Sequence, residues 1–429
     1  MSTSGPAPRG SLDVYLNGEL LGFLSDRTLG YLAFDFDEAA ITTHGIGSRI
    51  LSLAMPVSWE TVDPFVATAF FAGLLPEGEA RQRLSDEFRV SPDDPWALLE
   101  VLGRESAGAL VIIPGGEGLP TNAAAAVRPL DEQALKAELD RLSLSPLGVT
   151  ADDDEVRLSL AGVQDKLPLV QLNDGRLALP LNGHPSTHIA KPARQVERFP
   201  ELVQNEAFCL ATAEALDIRT AAFSVITVGD EQVLLVKRYD RAGNTNGQTV
   251  RLHQEDACQA TATHPNFKYE GSGGPSLAQV ADLISAHSSQ PGLDRMTLLR
   301  LTVANAVLGN CDAHGKNISF LHQEEGVRLA PAYDLVSTEA YPHTDKLGMR
   351  IGGVDRLRDV TREALIVQAG ALGISPQLAE RLLANLAERF PASLTAARER
   401  AEREGWATPI TTRIADASAD RARRILPNR

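Results

Sequence analysis

Between Leu308 and Phe320 the chain reads LGNCDAHGKNISF. Within it, the eight residues Asn310 to Asn317 carry two amides, a thiol, a carboxylate, an imidazole and an ammonium. Apolar runs flank the segment, so it reads as a loop between a helix and a strand. Three chemistries compete for it. A Cys311 nucleophile needs a nearby base and a lowered thiol pKa. His314 stands three residues on, but chance readily supplies that spacing, and cysteine is also a common small core residue. A transition-metal centre wants several nitrogen or sulfur ligands, and His314 alone is on offer locally. Phosphoryl transfer instead asks for an acceptor oriented by a carboxylate and for magnesium held by hard oxygens. Asp312 and Asn317, five residues apart, reproduce the Asp-x-x-x-x-Asn spacing of a protein-kinase catalytic loop, where the Asp is the base and the Asn a metal ligand.

The other parts of such a site stand in kinase order. ISFLHQEEGVRLAPAYDL reads as a hairpin, with strands at 318–322 and 327–330, followed by Tyr333 and Asp334. Asp334 fills the place of the Asp-Phe-Gly aspartate, with Tyr and Leu in place of Phe and Gly. HIAKPA puts Lys191 on a strand, like the Val-Ala-Ile-Lys lysine. Glu206, in the helical QNEAFC, is the carboxylate that would hold it. SLAGVQDK, 159–166, lies between two strands and would cover phosphates, although Gly162 is its only glycine. Each piece also has a plain structural reading. Asp312 and His314 would brace a loop, Lys191 would be a solvated strand residue, and Gln254, Glu255 and Asp256 would cap the next helix. Asp152 and Asp154 read as a solvated charge run. The shared order joins the pieces.

The elements that must position these residues follow from pattern. SLDVYLNGELLGFLS alternates around Asn17-Gly18, a hairpin signature. VDPFVATAFFAGLLP is a helix with Pro64 near its start and Pro76 at its end. SPDDPWALLEVLGRES predicts a helix capped by Ser91 and closed by Gly103. GALVIIPGG is a buried strand, and the proline- and glycine-punctuated 115–129 marks a first boundary. After Ala151 the chain turns strand-rich, in VRLSLAGVQDKLPLVQL, RLALP and THIAKPA. ELVQNEAFCLATAEALDI predicts a helix with Leu202, Phe208, Ala211, Ala215 and Leu216 near one stripe. AFSVITVGDEQVLLVKRYDR is a hairpin turning at Gly229-Asp230, and helices dominate from there on. The expectation is a two-lobed α+β, protein-kinase-like fold. It divides into an N-terminal subdomain (1–128), a strand-rich lobe with the phosphate loop (129–250) and a helical lobe (251–429).

Composition removes other classes. With 43% hydrophobic and 23% charged residues the 429-residue chain has an ordinary globular balance. No apolar run approaches the roughly 18 residues of a membrane span, and the N-terminus shows no signal-peptide pattern, so cytoplasm is the expected compartment. Three widely spaced cysteines make neither a disulfide framework nor a CxxC metal site. The net charge of −15 and the lack of any basic run longer than RARR at 421–424 argue against unaided nucleic-acid binding.

The segments LSLAGVQDKLPL, THIAKPA, NEAFCLATAEAL, LLVKRYDR, RLHQEDACQA, GNCDAHGKN, APAYDLVST and MRIGG resemble those of the HipA family of bacterial toxin kinases. LNGELLGFL and FFAGLLPEGEARQRL resemble that family's leading domain, so the likeness spans nearly the whole chain. The Asp-x-His-x-x-Asn form is also similar to phosphatidylinositol kinases. The resemblance implies an ATP- and Mg2+-dependent serine/threonine kinase, the toxin of a toxin–antitoxin pair associated with persistence. Its implied target is an aminoacyl-tRNA synthetase. Its implied partner is a small helix-turn-helix, HipB-like antitoxin through which DNA is reached. By position, Asp312 would be the catalytic base, and Asn317 and Asp334 would bind magnesium. Lys191 would hold phosphates, and Ala161, Gly162, Val163, Gln164, Asp165 and Lys166 would line them. Lys237, Arg238 and Tyr239 would meet adenine mostly through backbone atoms, with His314, Lys316 and Tyr333 also at the nucleotide. Ser159 matches the family's autophosphorylated serine. Two other functions stay open: a degenerate kinase fold that only docks on an antitoxin–DNA complex, and a small-molecule or lipid kinase.

Overall fold

Asn17 and Gly18 both adopt positive φ, 53° and 87°, the geometry of a two-residue hairpin turn. They join the strands Leu12–Leu16 and Glu19–Asp26, with Leu12 opposite Leu24. Leu32–Phe36 and Leu110–Pro114 complete a four-stranded antiparallel sheet. Leu12, Val14, Leu24, Phe34 and Ile112 are fully buried within it. The helix Pro64–Gly73 begins where Asp63 caps the Phe65 N–H, with proline in the first turn, where its missing N–H costs nothing. The next proline corrects one expectation. The helix predicted to start at Ser91 is Pro95–Leu102, and its cap is Asp94, whose carboxylate accepts the Ala97 N–H. Pro95 fixes the first helical residue and therefore places the cap just before it. The Ser91 hydroxyl serves the preceding turn, accepting the Asp93 N–H. Gly103 closes the helix as predicted.

The structure, a computed structural model, describes residues 10–27, 30–119, 126–142, 165–193, 199–243, 248–342 and 345–426. It divides into two compact units. The first is Met1–Thr187 with Asp240–Glu255 and Ala262–Pro265, and the second is His188–Tyr239 with Asp256–Thr261 and Asn266–Arg429. The units change over at 187 and trade short segments between 240 and 265, whereas the sequence reading cuts at 128 and 250. A buried ionic knot accounts for part of that exchange. Glu105, with no exposed surface, accepts from Arg241, Arg251 and the Ser186 hydroxyl. A buried carboxylate is tolerable only when paired and hydrogen-bonded in this way, so the segment carrying Arg241 and Arg251 stays with the first unit. Ala126–Pro129, Leu177–Leu181 and Leu167–Gln171 form a further antiparallel set there.

In the second unit, Glu231–Lys237 lies between His188–Pro192 and Phe223–Val228, antiparallel to both. The hairpin turning at Gly229-Asp230 is as predicted. Leu202–Ala215 is a helix, but it is not amphipathic. Val203 to Ala213 are buried without a break, Gln204, Asn205 and Glu206 included, so the single apolar stripe is corrected to a helix enclosed on nearly every face. It packs on the strands Phe223–Val228 and Glu231–Lys237 and on the long helix Pro376–Arg403. Its buried amide is satisfied: Asn205 donates to the Ser337 carbonyl at 3.0 Å and accepts the Ser337 N–H at 2.8 Å. Leu277–His287 and Pro291–Leu308 follow, then the hairpin Ser319–Gln323 with Gly326–Leu329 and the helices Arg362–Ala371 and Pro409–Ile425. Among the described residues no helix is long and apolar enough to cross a membrane.

Candidate active site

Lys191 sits on the strand His188–Pro192, opposite Leu234 of its neighbour. Its Nζ lies 2.7 and 3.0 Å from the two carboxylate oxygens of Glu206 and 2.9 Å from Oδ1 of Asp334. Burial alone would lower the lysine pKa, but Asp334 and Glu206 outweigh it and the pKa is raised. The ammonium is therefore a fixed, permanent cation. Asp334 takes φ of 57°, a left-handed conformation that aspartate adopts more readily than most residues. In that position its Oδ2 accepts from the Asn317 amide at 3.2 Å. Lys191, Glu206, Asn317 and Asp334, singled out separately from sequence, thus form one connected array.

The 310–317 loop follows the helix Pro291–Leu308, which ends at Gly309 in a left-handed cap. Asn305 accepts from the Asn310 amide at 2.9 Å, and Asn310 Oδ1 accepts the Asp312 N–H at 3.0 Å. The Cys311 N–H donates to the Thr338 hydroxyl, and the Cys311 carbonyl accepts the Gly348 N–H at 2.8 Å. Gly348 lies on the strand Lys346–Ile351. A Cβ there would come within 2.6 Å of the Ala313 carbonyl oxygen and 3.1 Å of the His314 nitrogen, both backbone atoms, so only glycine lets strand and loop approach this closely. Burial pushes the Cys311 thiol pKa up. That is the opposite of what a nucleophile needs, and the cysteine reads as packing.

The remaining predicted residues are less uniformly placed. Lys316 is buried, with its ammonium 2.8 Å from Asp256. Tyr333 is buried too: its hydroxyl bonds Ser319 Oγ and donates to the Lys316 carbonyl, each at 2.6 Å. The Tyr333 ring meets that of Tyr239 at 5.6 Å. Lys237 is exposed and its N–H already donates to Ala222, while Arg238 is buried. Asp165 and Lys166 belong to the first unit, where Arg83 pairs with Asp165 at 2.6 Å. Ser159 and Ala161 to Gln164 lie outside the described residues.

Two participants were not picked out as site residues. Asp256 does cap the helix Ala257–Ala260, through a capping box with Gln259, as its plain reading has it, but the same carboxylate anchors Lys316. Tyr269 donates from its hydroxyl to Asp312 Oδ1 at 2.6 Å. Nothing in KYEGSGG repeats a recognisable motif, so sequence spacing gives no signal for it.

Magnesium prefers hard oxygens and leaves places for water and phosphate. Asn317 Oδ1 is a buried acceptor with no hydrogen-bond donor among the described residues, and the Asp334 carboxylate stands on the same amide. These donors fit such an ion. Among the described residues no cluster of three or more His, Cys, Asp or Glu could hold a metal, so water or phosphate oxygens would complete the shell.

Residues 12–113 match the model of the HipA N-terminal domain and residues 158–394 that of the HipA-like C-terminal domain. The chain belongs to the HipA family. Lys191, Glu206, Asp312, Asn317 and Asp334 all fall within the HipA-like C-terminal match. The putative kinase Y4mE of Sinorhizobium fredii is 37% identical over 384 residues, covering 88% of this chain and 89% of its own. The serine/threonine-protein kinase toxin HipA of Shewanella oneidensis is 29% identical over 389 residues, with 86% and 87% covered. A solved complex of Shewanella oneidensis HipA with HipB and its operator DNA contains a chain that matches this one. The TM-score is 0.79 at 25% identity, and 96% of each chain is covered. The α+β, kinase-like HipA fold expected from the motifs is borne out.

Proposed function

We propose that this chain is an ATP- and magnesium-dependent serine/threonine protein kinase, the toxin of a toxin–antitoxin pair. In this reading it phosphorylates an aminoacyl-tRNA synthetase and autophosphorylates at Ser159. The observation that carries the reading is the array in which Lys191 is gripped by Glu206 and shared with Asp334, which in turn bonds Asn317. Phosphoryl transfer depends on positioning and electrostatic stabilisation rather than on covalent help from the protein, and this array would supply both. The relatives named as kinases support it.

Lys191, immobilised by Glu206, would offer its ammonium to phosphate oxygens. Asp312 would orient the acceptor hydroxyl and take its proton as the oxygen attacks the γ-phosphorus and the bond to the β-phosphate oxygen breaks, releasing ADP. Magnesium held by Asn317 and Asp334 would neutralise charge on the phosphates. Ala161 to Lys166 would line those phosphates, and Lys237 to Tyr239 would meet adenine, with His314 beside them. Lys316 and Tyr333 would act by shaping the loop, since the ammonium is held by Asp256 and the phenol is bonded to Ser319 and the Lys316 carbonyl. Residues 1–128 would be the family's N-terminal domain, 129–250 the nucleotide lobe and 251–429 the catalytic lobe. The Shewanella complex supports a HipB-like antitoxin as partner and DNA reached through it, which suits a chain of net charge −15.

The test is incubation with labelled ATP, magnesium and a panel of purified aminoacyl-tRNA synthetases. One synthetase should be labelled by the wild type and not by Asp312→Asn. Absence of any labelled protein, the chain included, would overturn the proposal.

A further inference from the structure

The segment 266–274 is tied down at several points. The Lys268 carbonyl accepts the Gly315 N–H at 3.1 Å, and Glu270 accepts the Arg350 N–H at 2.6 Å. The Tyr269 carbonyl accepts the N–H groups of Ser272 and Gly274, both at 2.9 Å. The Tyr269 ring stands edge-on to His314, 5.1 Å between centroids and 84° between planes. From that fixed place its hydroxyl donates to Asp312 Oδ1 at 2.6 Å. Asp312 Oδ2 has no hydrogen-bond donor among the described residues.

We propose that Tyr269 is a positioning residue for Asp312, setting the plane of the carboxylate so that Oδ2 is presented to the acceptor hydroxyl. The inference rests on the kinase reading of Asp312. The terminal torsion of an aspartate is broad and roughly two-fold. The bond from Asn310 restrains only the Asp312 backbone N–H, so the carboxylate needs a second contact to hold one orientation. The phenol supplies that contact from one side and leaves the other oxygen unspent. A phenol that merely plugged the acceptor position would need a segment free to withdraw, and this one is bonded on both sides of Tyr269.

The test uses the purified full-length chain with γ-labelled ATP, magnesium and casein as a hydroxyl acceptor. Tyr269→Phe keeps the ring against His314 and removes the donor. Its kcat should fall roughly 10- to 100-fold, the scale on which a reacting group loses alignment, with KM for ATP and Tm unchanged. Incorporating p-aminophenylalanine at 269, which keeps an N–H donor, should restore the rate. The double variant Asp312→Asn with Tyr269→Phe should be no slower than Asp312→Asn alone, because the tyrosine acts through the carboxylate. An unchanged kcat in Tyr269→Phe overturns the inference. So does a faster rate with lower KM for casein, the sign of a plug, or an additive double variant. A wild type that transfers no phosphoryl group overturns the kinase reading and this inference with it. An active wild type beside an unimpaired Tyr269→Phe overturns this inference alone.

Discussion

Lys191 and Glu206 form a two-pronged ion pair, with Nζ within 3.0 Å of both carboxylate oxygens and Glu206 only 2% exposed. Removing one partner of such a pair leaves the other as an uncompensated buried charge. Lys191→Met should therefore destabilise the fold by roughly 3–5 kcal/mol as well as abolish phosphoryl transfer, read by urea unfolding and by labelling. Lys191→Met combined with Glu206→Leu should recover much of the stability and none of the activity. Because the Lys191 pKa is raised in the fold, its stabilisation is fully present below the unfolded lysine value and fades only as pH rises through the folded one.

Asp312→Asn keeps the shape of the loop and removes the charge. Activity should fall by about 10²- to 10⁴-fold, the range of a lost general base, with Tm preserved. Cys311→Ala should keep its activity, since burial holds the thiol pKa up. Inactivity in a variant that still melts normally would restore the thiol as a participant.

Asp334→Asn and Asn317→Ala address the oxygen donors. Asparagine tolerates the left-handed φ of 57° at position 334, so the first variant tests charge without backbone strain. Both should need at least about tenfold more magnesium for half-maximal rate, in line with the loss of a metal-coordinating contact. Wild-type magnesium dependence in both variants would remove the two-ligand assignment.

The pKa of the buried His188 imidazole is pushed down to about 4, first by burial and then by the positive charge of Lys237. Its folded pKa lies below the unfolded value near 6.5. The neutral ring therefore contributes stability that is present above the unfolded value and lost as pH falls through about 4. His188→Gln should flatten the acid loss of stability by about 3 kcal/mol, measured as the difference in urea unfolding between pH 7.5 and pH 4.

Ser159, outside the described residues, stands two positions before Ala161, the first of the residues proposed to line phosphates. Phosphorylation there would add about −1.5 to −2 charge beside a site proposed to take an anionic nucleotide, and like charges in a partly dry pocket repel. Mass spectrometry after incubation with ATP and magnesium should find phosphate on Ser159, and the modified chain should bind ATP poorly. Unmodified Ser159 alongside plain Asp312-dependent activity would overturn autophosphorylation at this position.

The grouping of the candidate residues was legible where chemistry is written as residue type and spacing. Lys191, Glu206, Asn317 and Asp334 meet as their order suggested, because strand, helix and hairpin patterns fix where each side chain emerges. Tyr269 was not legible, because its value lies in a tertiary contact with Asp312 across 43 positions. Local pattern misled on the helix Leu202–Ala215, where a stripe was expected and burial on nearly all faces found. Glu206 had a partner in the sequence reading, Lys191, but Gln204 and Asn205 carried no such signal, and their partners Gln232 and Ser337 show them to be interior. At Ser91 the error was one of precedence: a proline at the first helical position outranks a serine further upstream.

Gly348 bears on how inactive relatives would be recognised. A Cβ there would meet the backbone of Ala313 and His314, so any side chain must shift strand or loop while the residue types at 191, 312, 317 and 334 stay unchanged. A descendant that lost this glycine would keep all four of those side chains beside a displaced loop. Drift at this position would leave no trace in a comparison confined to those four residues. Gly348→Ala is correspondingly a way to disturb the 310–317 loop while keeping Lys191, Asp312, Asn317 and Asp334 themselves.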